Sequence, residues 1–137
     1  MSKDRSAGAT PAAEKVASGG FEHVPILEVP NLASELISLK ELGFWVYGLD
    51  AESGQSLTKT ELAAKSVIVV GSEESGLRKP VAQACDALLS IPQIASGQSL
   101  NASVAGAISG YEFWRQRGLS EIEKNTRKNF DWDKYLK

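Results

Sequence analysis

Residues Val67 to Leu77 read VIVVGSEESGL, in which four consecutive aliphatic residues end at Gly71 and a polar turn follows. A short continuous apolar run is typical of a strand that is buried on both faces of a parallel sheet. Ligands of such sheets bind at the carboxyl ends of the strands. The turn that begins at Gly71 is therefore the first candidate for a binding site.

Further candidate strands lie on both sides of this stretch. Residues 44–49 (FWVYGL) and 87–91 (ALLSI) are apolar enough for buried strands. Residues 24–29 are apolar and contain or adjoin prolines, which favours a short or edge strand. The polar stretch 50–65 predicts a surface loop with one helical turn at most.

Helices are predicted between these strands. Apolar residues recur at helical spacing from Leu32 to Leu42, after a potential N-cap at Asn31 and before a terminating glycine, Gly43. Other helices are predicted over 10–19, 80–85 and about 100–117, the last with Ser99 as a possible N-cap. The alternation of strands and helices predicts an α/β fold, with a largely parallel sheet and helices on both faces.

The composition is that of one globular domain of 137 residues, with 42% hydrophobic residues and a formal net charge of −2. No apolar run is long enough to cross a bilayer and the N-terminus has no signal-peptide pattern, so we expect a cytoplasmic location. Cys85 and His23 are the only residues of their types, which predicts neither a disulfide nor a metal site. We expect Cys85 to be buried and inert and His23 to be a surface or capping residue.

Three segments could form one ligand pocket: GSEESGL at 71–77, LLSIPQ at 88–93 and SLNASVAGAISGYEFWRQR at 99–117. Each places glycine, proline or small polar residues after a strand or at a helix start, where backbone groups are free to bind a ligand. The first segment alone is also compatible with a plain turn, and Ser99 or Asn101 with simple helix capping. Glu73 and Glu74 would repel phosphates, which favours a neutral or cationic ligand.

In this order and spacing, the three segments resemble the second and third motifs of the SpoU-type (TrmH-like) RNA 2′-O-ribose methyltransferases. The resemblance covers about residues 3–117 and implies an α/β knot, the deep trefoil knot of the SPOUT fold. It divides the chain into a partial methyltransferase domain, residues 1–118, and a charged and aromatic tail, residues 119–137.

The resemblance also implies a cofactor, partners and site residues. The cofactor would be S-adenosylmethionine as methyl donor, the substrate ribosomal or transfer RNA, and the assembly a homodimer without membrane contact. Glu73 and Asn101 match the polar active-site positions of the family. The implied cofactor-binding residues are Gly71, Gly76, Ile91, Pro92, Ser99, Leu100, Asn101 and Ser103.

One family feature would lie upstream of Met1: the first motif, an N-x-G segment followed by an arginine that acts near the ribose hydroxyl. Arg5 falls in a segment that matches a later linker, so the resemblance gives it no catalytic role. We therefore expect the 137-residue chain alone to be inactive. The alternatives are a non-catalytic remnant that dimerises or binds RNA, and a generic nucleotide-binding module.

The charged and aromatic end of the last predicted helix has two interpretations. Tyr111, Trp114, Arg115 and Arg117 could form a dimer face or contact RNA. Alternatively, the aromatic residues pack in the core and the arginines form a solvated helix end, which is the more ordinary arrangement.

Overall fold

Three parallel strands with helices on both sides make up the fold. A computed structural model describes residues 25–72, 74–94 and 100–118. Its elements, in chain order, are α1 (Leu32–Glu41), β1 (Trp45–Leu49), a 3₁₀ turn (Leu57–Lys59), β2 (Ser66–Val69), α2 (Lys79–Ala84), β3 (Ala87–Leu89) and α3 (Ala102–Gln116).

The strand order is β2-β1-β3 and both pairings are parallel, with Val46 opposite Val67 and Gly48 opposite Leu88. Helices α1 and α2 pack on one face of the sheet, while α3 and the 3₁₀ turn lie on the other. The predicted α/β class, parallel sheet and two-sided helical cover are thus confirmed. The knot stays a prediction, because residues 95–99, which connect β3 to α3, lie outside the described part.

The first core lies under α1 and α2. It is formed by Leu36, Val46, Val69 and Ala84, which are at most 7% exposed. Successive side chains of a strand point to opposite faces, so Gly48 lies on the same face as Val46. A methyl group on Gly48 would lie 2.7 Å from Leu77 Cδ1 and 2.8 Å from both Cys85 Sγ and Leu88 Cδ2. The missing side chain therefore makes room for Leu77 over the central strand.

The second core lies on the opposite face and corrects one expectation. The stretch 50–65 was expected on the surface, yet Leu57 is 0% and Leu62 is 3% exposed, packed with Tyr47 and Leu89. The Tyr47 hydroxyl accepts a hydrogen bond from Ala63 N at 2.9 Å. Because the stretch is polar overall, its composition did not indicate that two of its leucines cover the part of the sheet left open by α3.

The helix predictions hold to within a few residues. Asn31 caps α1, since its Oδ1 accepts from Ser34 N at 3.0 Å, and Gly43 follows the helix with φ +92°. Helix α3 begins at Ala102, two residues after the approximate start that was expected, and its N-cap is Asn101, the second of the two candidate caps, rather than Ser99. None of the helices in the described ranges is long and apolar enough to cross a membrane.

The predicted strand over 24–29 is wrong for the residues that the structure describes. Residues 25–28 have no regular secondary structure and Val29 forms a single bridge position. Pro25 and Pro30 remove two of the N–H groups that a ladder needs.

The helix predicted over 10–19, His23 and the tail 119–137 lie outside the described residues. Cys85 is partly buried, and desolvation followed by the charge of Asp86 raises the pKa of its thiol.

Candidate functional site

A cavity of about 380 Å³ lies at the carboxyl ends of the three strands. Its walls come from the loops that follow β1, β2 and β3 and from the start of α3. This volume is within the range of small-molecule sites, and the position is the usual one for ligands of parallel α/β sheets. The cavity is therefore the candidate functional site.

The loop after β2 is a tight, self-bonded turn. Ser72 N donates to Gly76 O at 3.1 Å, and Gly76 N donates back to Ser72 O at 2.9 Å. The Ser72 and Ser75 hydroxyls are 2.6 Å apart. Gly76 has φ +66°, a conformation that glycine adopts without strain. A methyl group on Gly71 would lie 2.5 Å from Leu77 N and closer still to the carbonyl group of Gly76, so the turn closes only around glycine.

The loop after β1 contributes negative charge to the cavity. Asp50 N donates to Leu89 O at 2.9 Å, which extends the β1–β3 ladder by one residue, and Asp50 Oδ1 accepts from Glu52 N at 2.9 Å. Three acidic residues, Asp50, Glu52 and Glu74, belong to the lining, and none of the described lining residues is Lys, Arg or His. The site is thus suited to a neutral or cationic ligand rather than to a polyphosphate.

Sequence reasoning missed this acidic loop as part of the site. A signal was nevertheless present, because the residues Asp50 to Glu52 directly follow the carboxyl end of the predicted strand 44–49. The rule that placed Gly71 at a ligand site applies equally to them.

The start of α3 closes the cavity. Leu100 and Ala105 line it, and Ala105 is 6% exposed. Asn101 Oδ1 accepts from Ser103 N at 2.9 Å, which is the ordinary capping bond of a helix N-terminus. The side-chain oxygen of Asn101 therefore serves as a helix cap, and a catalytic role for Asn101 stays a prediction.

The structure brings together half of the predicted cofactor-binding residues. Gly71, Gly76, Ile91 and Leu100 line the one cavity. Three others are not part of its lining: Pro92, Asn101 and Ser103. Glu73 and Ser99 lie outside the described residues, so their roles stay predictions.

A second cavity of about 430 Å³ lies on the other side of the turn after β2. The two cavities share residues 70–72 and 75–77, so the end of β2 and this turn lie between them. The described lining of the second cavity contains Arg78 and no carboxylate. The two sides of the turn therefore differ in charge.

The outer face of α3 is apolar and exposed. Tyr111 is 63% and Trp114 is 56% exposed, and Val104 and Ile108 extend the same kind of surface toward the N-terminus of the helix. The prediction that these two aromatic residues pack in the core is wrong, because Phe113 takes the inward position. What the sequence alone left undecided is thus resolved in favour of an exposed apolar face.

A family model described as the SpoU rRNA Methylase family matches residues 1–111. The chain belongs to the SpoU rRNA methylase family. It is 46% identical over 115 residues to an uncharacterized tRNA/rRNA methyltransferase of Synechocystis, and this match covers 84% of the chain and 30% of the relative. It is 41% identical over 117 residues to the 23S rRNA (guanosine-2′-O-)-methyltransferase RlmB of Yersinia pestis, covering 85% of the chain and 48% of that enzyme.

Solved SpoU structures share the fold. The A. aeolicus TrmH/SpoU tRNA modifying enzyme superposes with a TM-score of 0.71 at 26% identity, over 96% of this chain and 64% of that one. AviRb from Streptomyces viridochromogenes in complex with the cofactor AdoMet gives 0.70 at 24% identity, over 78% and 44%. The chain thus spans less than half the length of each of these two curated relatives.

Proposed function

We propose that this SpoU-family chain is the cofactor-binding part of an S-adenosylmethionine-dependent RNA 2′-O-ribose methyltransferase. The observation that carries the proposal is the convergence of Gly71, Gly76, Ile91 and Leu100 on a single cavity. These residues come from three separate loops, and all four match positions in the family motifs. The methyltransferase names of the relatives support the same activity.

The charge of the cavity supports this choice of methyl donor. S-adenosylmethionine, when bound, supplies an electrophilic methyl group on a sulfonium cation. Asp50, Glu52 and Glu74 give the lining a negative potential that favours such a cation. The remaining task of the protein is to hold the ribose hydroxyl in line with the methyl group and to assist loss of its proton, for which Glu73 and Asn101 are the proposed residues.

The second cavity supports a nucleotide as the acceptor. The acceptor oxygen must reach near contact with the methyl group, so its binding site must adjoin the donor site. The cavity beyond the turn after β2 does so, and Arg78 on its lining offers a cation for a phosphate. RNA, with ribosomal or transfer RNA as the class, is therefore the proposed substrate, and the cytoplasm the proposed location.

A homodimer is part of the same proposal. Large exposed apolar surfaces on a monomer usually mark an interface. On α3 such a surface is formed by Val104, Ile108, Tyr111 and Trp114. The small residues Gly106 and Gly110 would allow close approach of a partner, since a methyl group at either would meet nothing within 4 Å.

The second candidate function is non-catalytic RNA binding or dimerisation. It is favoured by the exposed apolar face of α3, formed by Val104, Ile108, Tyr111 and Trp114. Because the chain spans less than half the length of the relatives described above, we expect the 137 residues to bind the cofactor without transferring its methyl group unaided.

Isothermal titration of S-adenosylmethionine into the purified chain tests the proposal. We expect saturable binding, and a decrease in affinity for Glu73→Ala and Asn101→Ala. Thr58→Ala, in the 3₁₀ turn and away from the described cavity lining, serves as the control and should bind as the parent chain does. A folded chain that shows no binding at millimolar cofactor would contradict the proposal, and methylation of RNA by the chain alone would contradict its expected inactivity.

A further inference from the structure

The last turn of α3 forms hydrogen bonds to the backbone of the segment from Thr60 to Leu62, as a neighbouring strand would. Gln116 Oε1 accepts from Leu62 N at 2.7 Å, and Gln116 Nε2 donates to Thr60 O at 2.7 Å. One side-chain amide thereby satisfies a donor and an acceptor of an irregular backbone segment. Both bonds are partly buried, which limits competition by water for these groups.

Glu112, one turn earlier, fixes the orientation of that amide. Its side chain is nearly buried, and its Oε1 accepts from Gln116 Nε2 at 3.1 Å and from Arg115 at 2.6 Å. Because only the NH₂ end of the Gln116 amide can donate to Glu112, the oxygen end is directed to Leu62 N. The orientation is thus determined by the network rather than left to free rotation.

Arg117 adds a third bond to the same segment. Its NH2 group donates to Leu62 O at 2.8 Å, and its guanidinium lies 3.9 Å from the centre of the Phe113 ring. Both backbone groups of Leu62 are therefore bonded to the end of α3, and Leu62 itself is buried. The end of the helix has little freedom to tilt.

A small tilt at this end would be amplified at the cavity. Among the described elements α3 contacts the 3₁₀ turn most, and its inner face is buried along its length at Ala105, Ser109 and Glu112. At about 1.5 Å per residue, Asn101 lies roughly 22 Å from Gln116, so a tilt of about 5° moves the start of the helix by roughly 2 Å. Leu100 and Ala105, which line the cavity, belong to the part that would move.

We propose that Gln116 is a positioning residue for the cofactor site: its amide, oriented by Glu112, sets the angle of α3 and thereby the cavity wall at Leu100 and Ala105. Gln116 contacts neither the cavity nor its described lining directly. The cofactor part of this inference rests on the proposed function. The positioning of the helix does not, because it is a property of the ligand-free chain.

The test compares Gln116→Met with Asp86→Ala. Met keeps the length of the side chain and removes both backbone bonds. Asp86 accepts from Val46 N at 2.8 Å and pairs with Lys40 at 3.4 Å, at the opposite ends of the strands from the cavity, so its loss destabilises the fold without touching α3. Gln116→Asn, which is one methylene too short to reach both groups, is the milder second variant if Gln116→Met does not fold.

Two measurements are made on each folded variant. Amide chemical shifts and hydrogen exchange of the ligand-free chain report on the start of α3, in particular on Ser103, whose N–H donates to Asn101. Isothermal titration gives the Kd for S-adenosylmethionine. For Gln116→Met we expect shift changes and faster exchange over 102–105 and a Kd raised by about tenfold or more, since a displacement of about 1 Å can have large effects at a preorganised site. Asp86→Ala should change neither.

Changes confined to 60–63 and the last turn of α3, with an unaltered Kd, would overturn the inference. So would an equal rise in Kd for Asp86→Ala at the same loss of thermal stability, because the effect would then be one of general stability. Failure of the parent chain to bind S-adenosylmethionine refutes the proposed function instead, and the spectra of the ligand-free chain still decide whether Gln116 positions the helix.

Discussion

Replacing Gly71 by alanine should close the cofactor site while leaving most of the fold intact. The added methyl group would lie 2.5 Å from Leu77 N and still closer to the Gly76 carbonyl group. Carbon contacts are favourable only beyond about 3.5 Å, so the facing backbone must retreat by about 1 Å. These neighbours are backbone atoms, which cannot rotate away as the end of a side chain can.

The expected magnitude follows from that displacement. Overpacking of this kind costs about 1 to 3 kcal/mol of folding stability. If bound S-adenosylmethionine requires the original shape of the turn, a similar free energy is lost on binding, and at about 1.4 kcal/mol per tenfold change this weakens the affinity by about 5- to 140-fold. Thermal melts measure the first effect and isothermal titration measures the second.

Gly54→Ala is the matched control for Gly71→Ala. It introduces the same methyl group into the loop after β1, where nothing lies within 4 Å of it. It should leave both the melting temperature and the affinity near those of the parent chain. If folded Gly71→Ala bound S-adenosylmethionine as tightly as Gly54→Ala does, the assignment of this turn to the cofactor site would be refuted.

Two further predictions concern the two faces of the sheet. Gly48→Ala should displace Leu77, whose Cδ1 would lie 2.7 Å from the new methyl group. We therefore expect it to lower folding stability by about 1 to 3 kcal/mol and to weaken cofactor binding. An unchanged melting temperature would contradict this prediction. The hydrogen bonds from Arg115 hold the pKa of Glu112 below its ordinary value. The contribution of the ionised carboxylate to folding stability is therefore complete above about pH 4.3 and is lost as the pH falls through the lowered pKa. Glu112→Gln should therefore melt several degrees below the parent at about pH 7 and at the same temperature as the parent near pH 2. The expected size follows because about 1 kcal/mol shifts the melting temperature of such a domain by a few degrees. An equal difference in melting temperature at both pH values would refute the ionic contribution.

Most of the strand and helix order was predictable because local signals and burial agree there. The run from Val67 to Val70 is apolar on both faces, and most of it lies in β2 (Ser66–Val69), in a sheet that is covered on both sides. Asn31 and Gly43 are cap residues with an intrinsic preference for those positions, and α1 lies between them. Where sequence preference and tertiary packing coincide, a single sequence is sufficient.

The predictions failed where tertiary contacts outweighed local composition. Leu57 and Leu62 lie in a polar, non-periodic stretch, and only the space beside α3 explains their burial. Tyr111 and Trp114 occupy exposed positions because Phe113 is the aromatic residue that faces the sheet. Neither outcome could be read from periodicity, since both depend on which part of the sheet each element covers.

The candidate site likewise depends on both local sequence and tertiary contacts. The turn from Gly71 to Leu77 separates two cavities, so both of its sides must be free of bulky side chains. Gly71 allows the backbone to fold directly against Gly76, and Leu77 anchors the end of the turn over Gly48 of the central strand. A displacement of this one turn therefore reaches the acid-lined cavity and the cavity with Arg78 together. Substitutions at Gly71 should consequently change donor binding and acceptor binding in parallel, whereas substitutions of the lining residues Asp50 and Glu52 should affect donor binding alone.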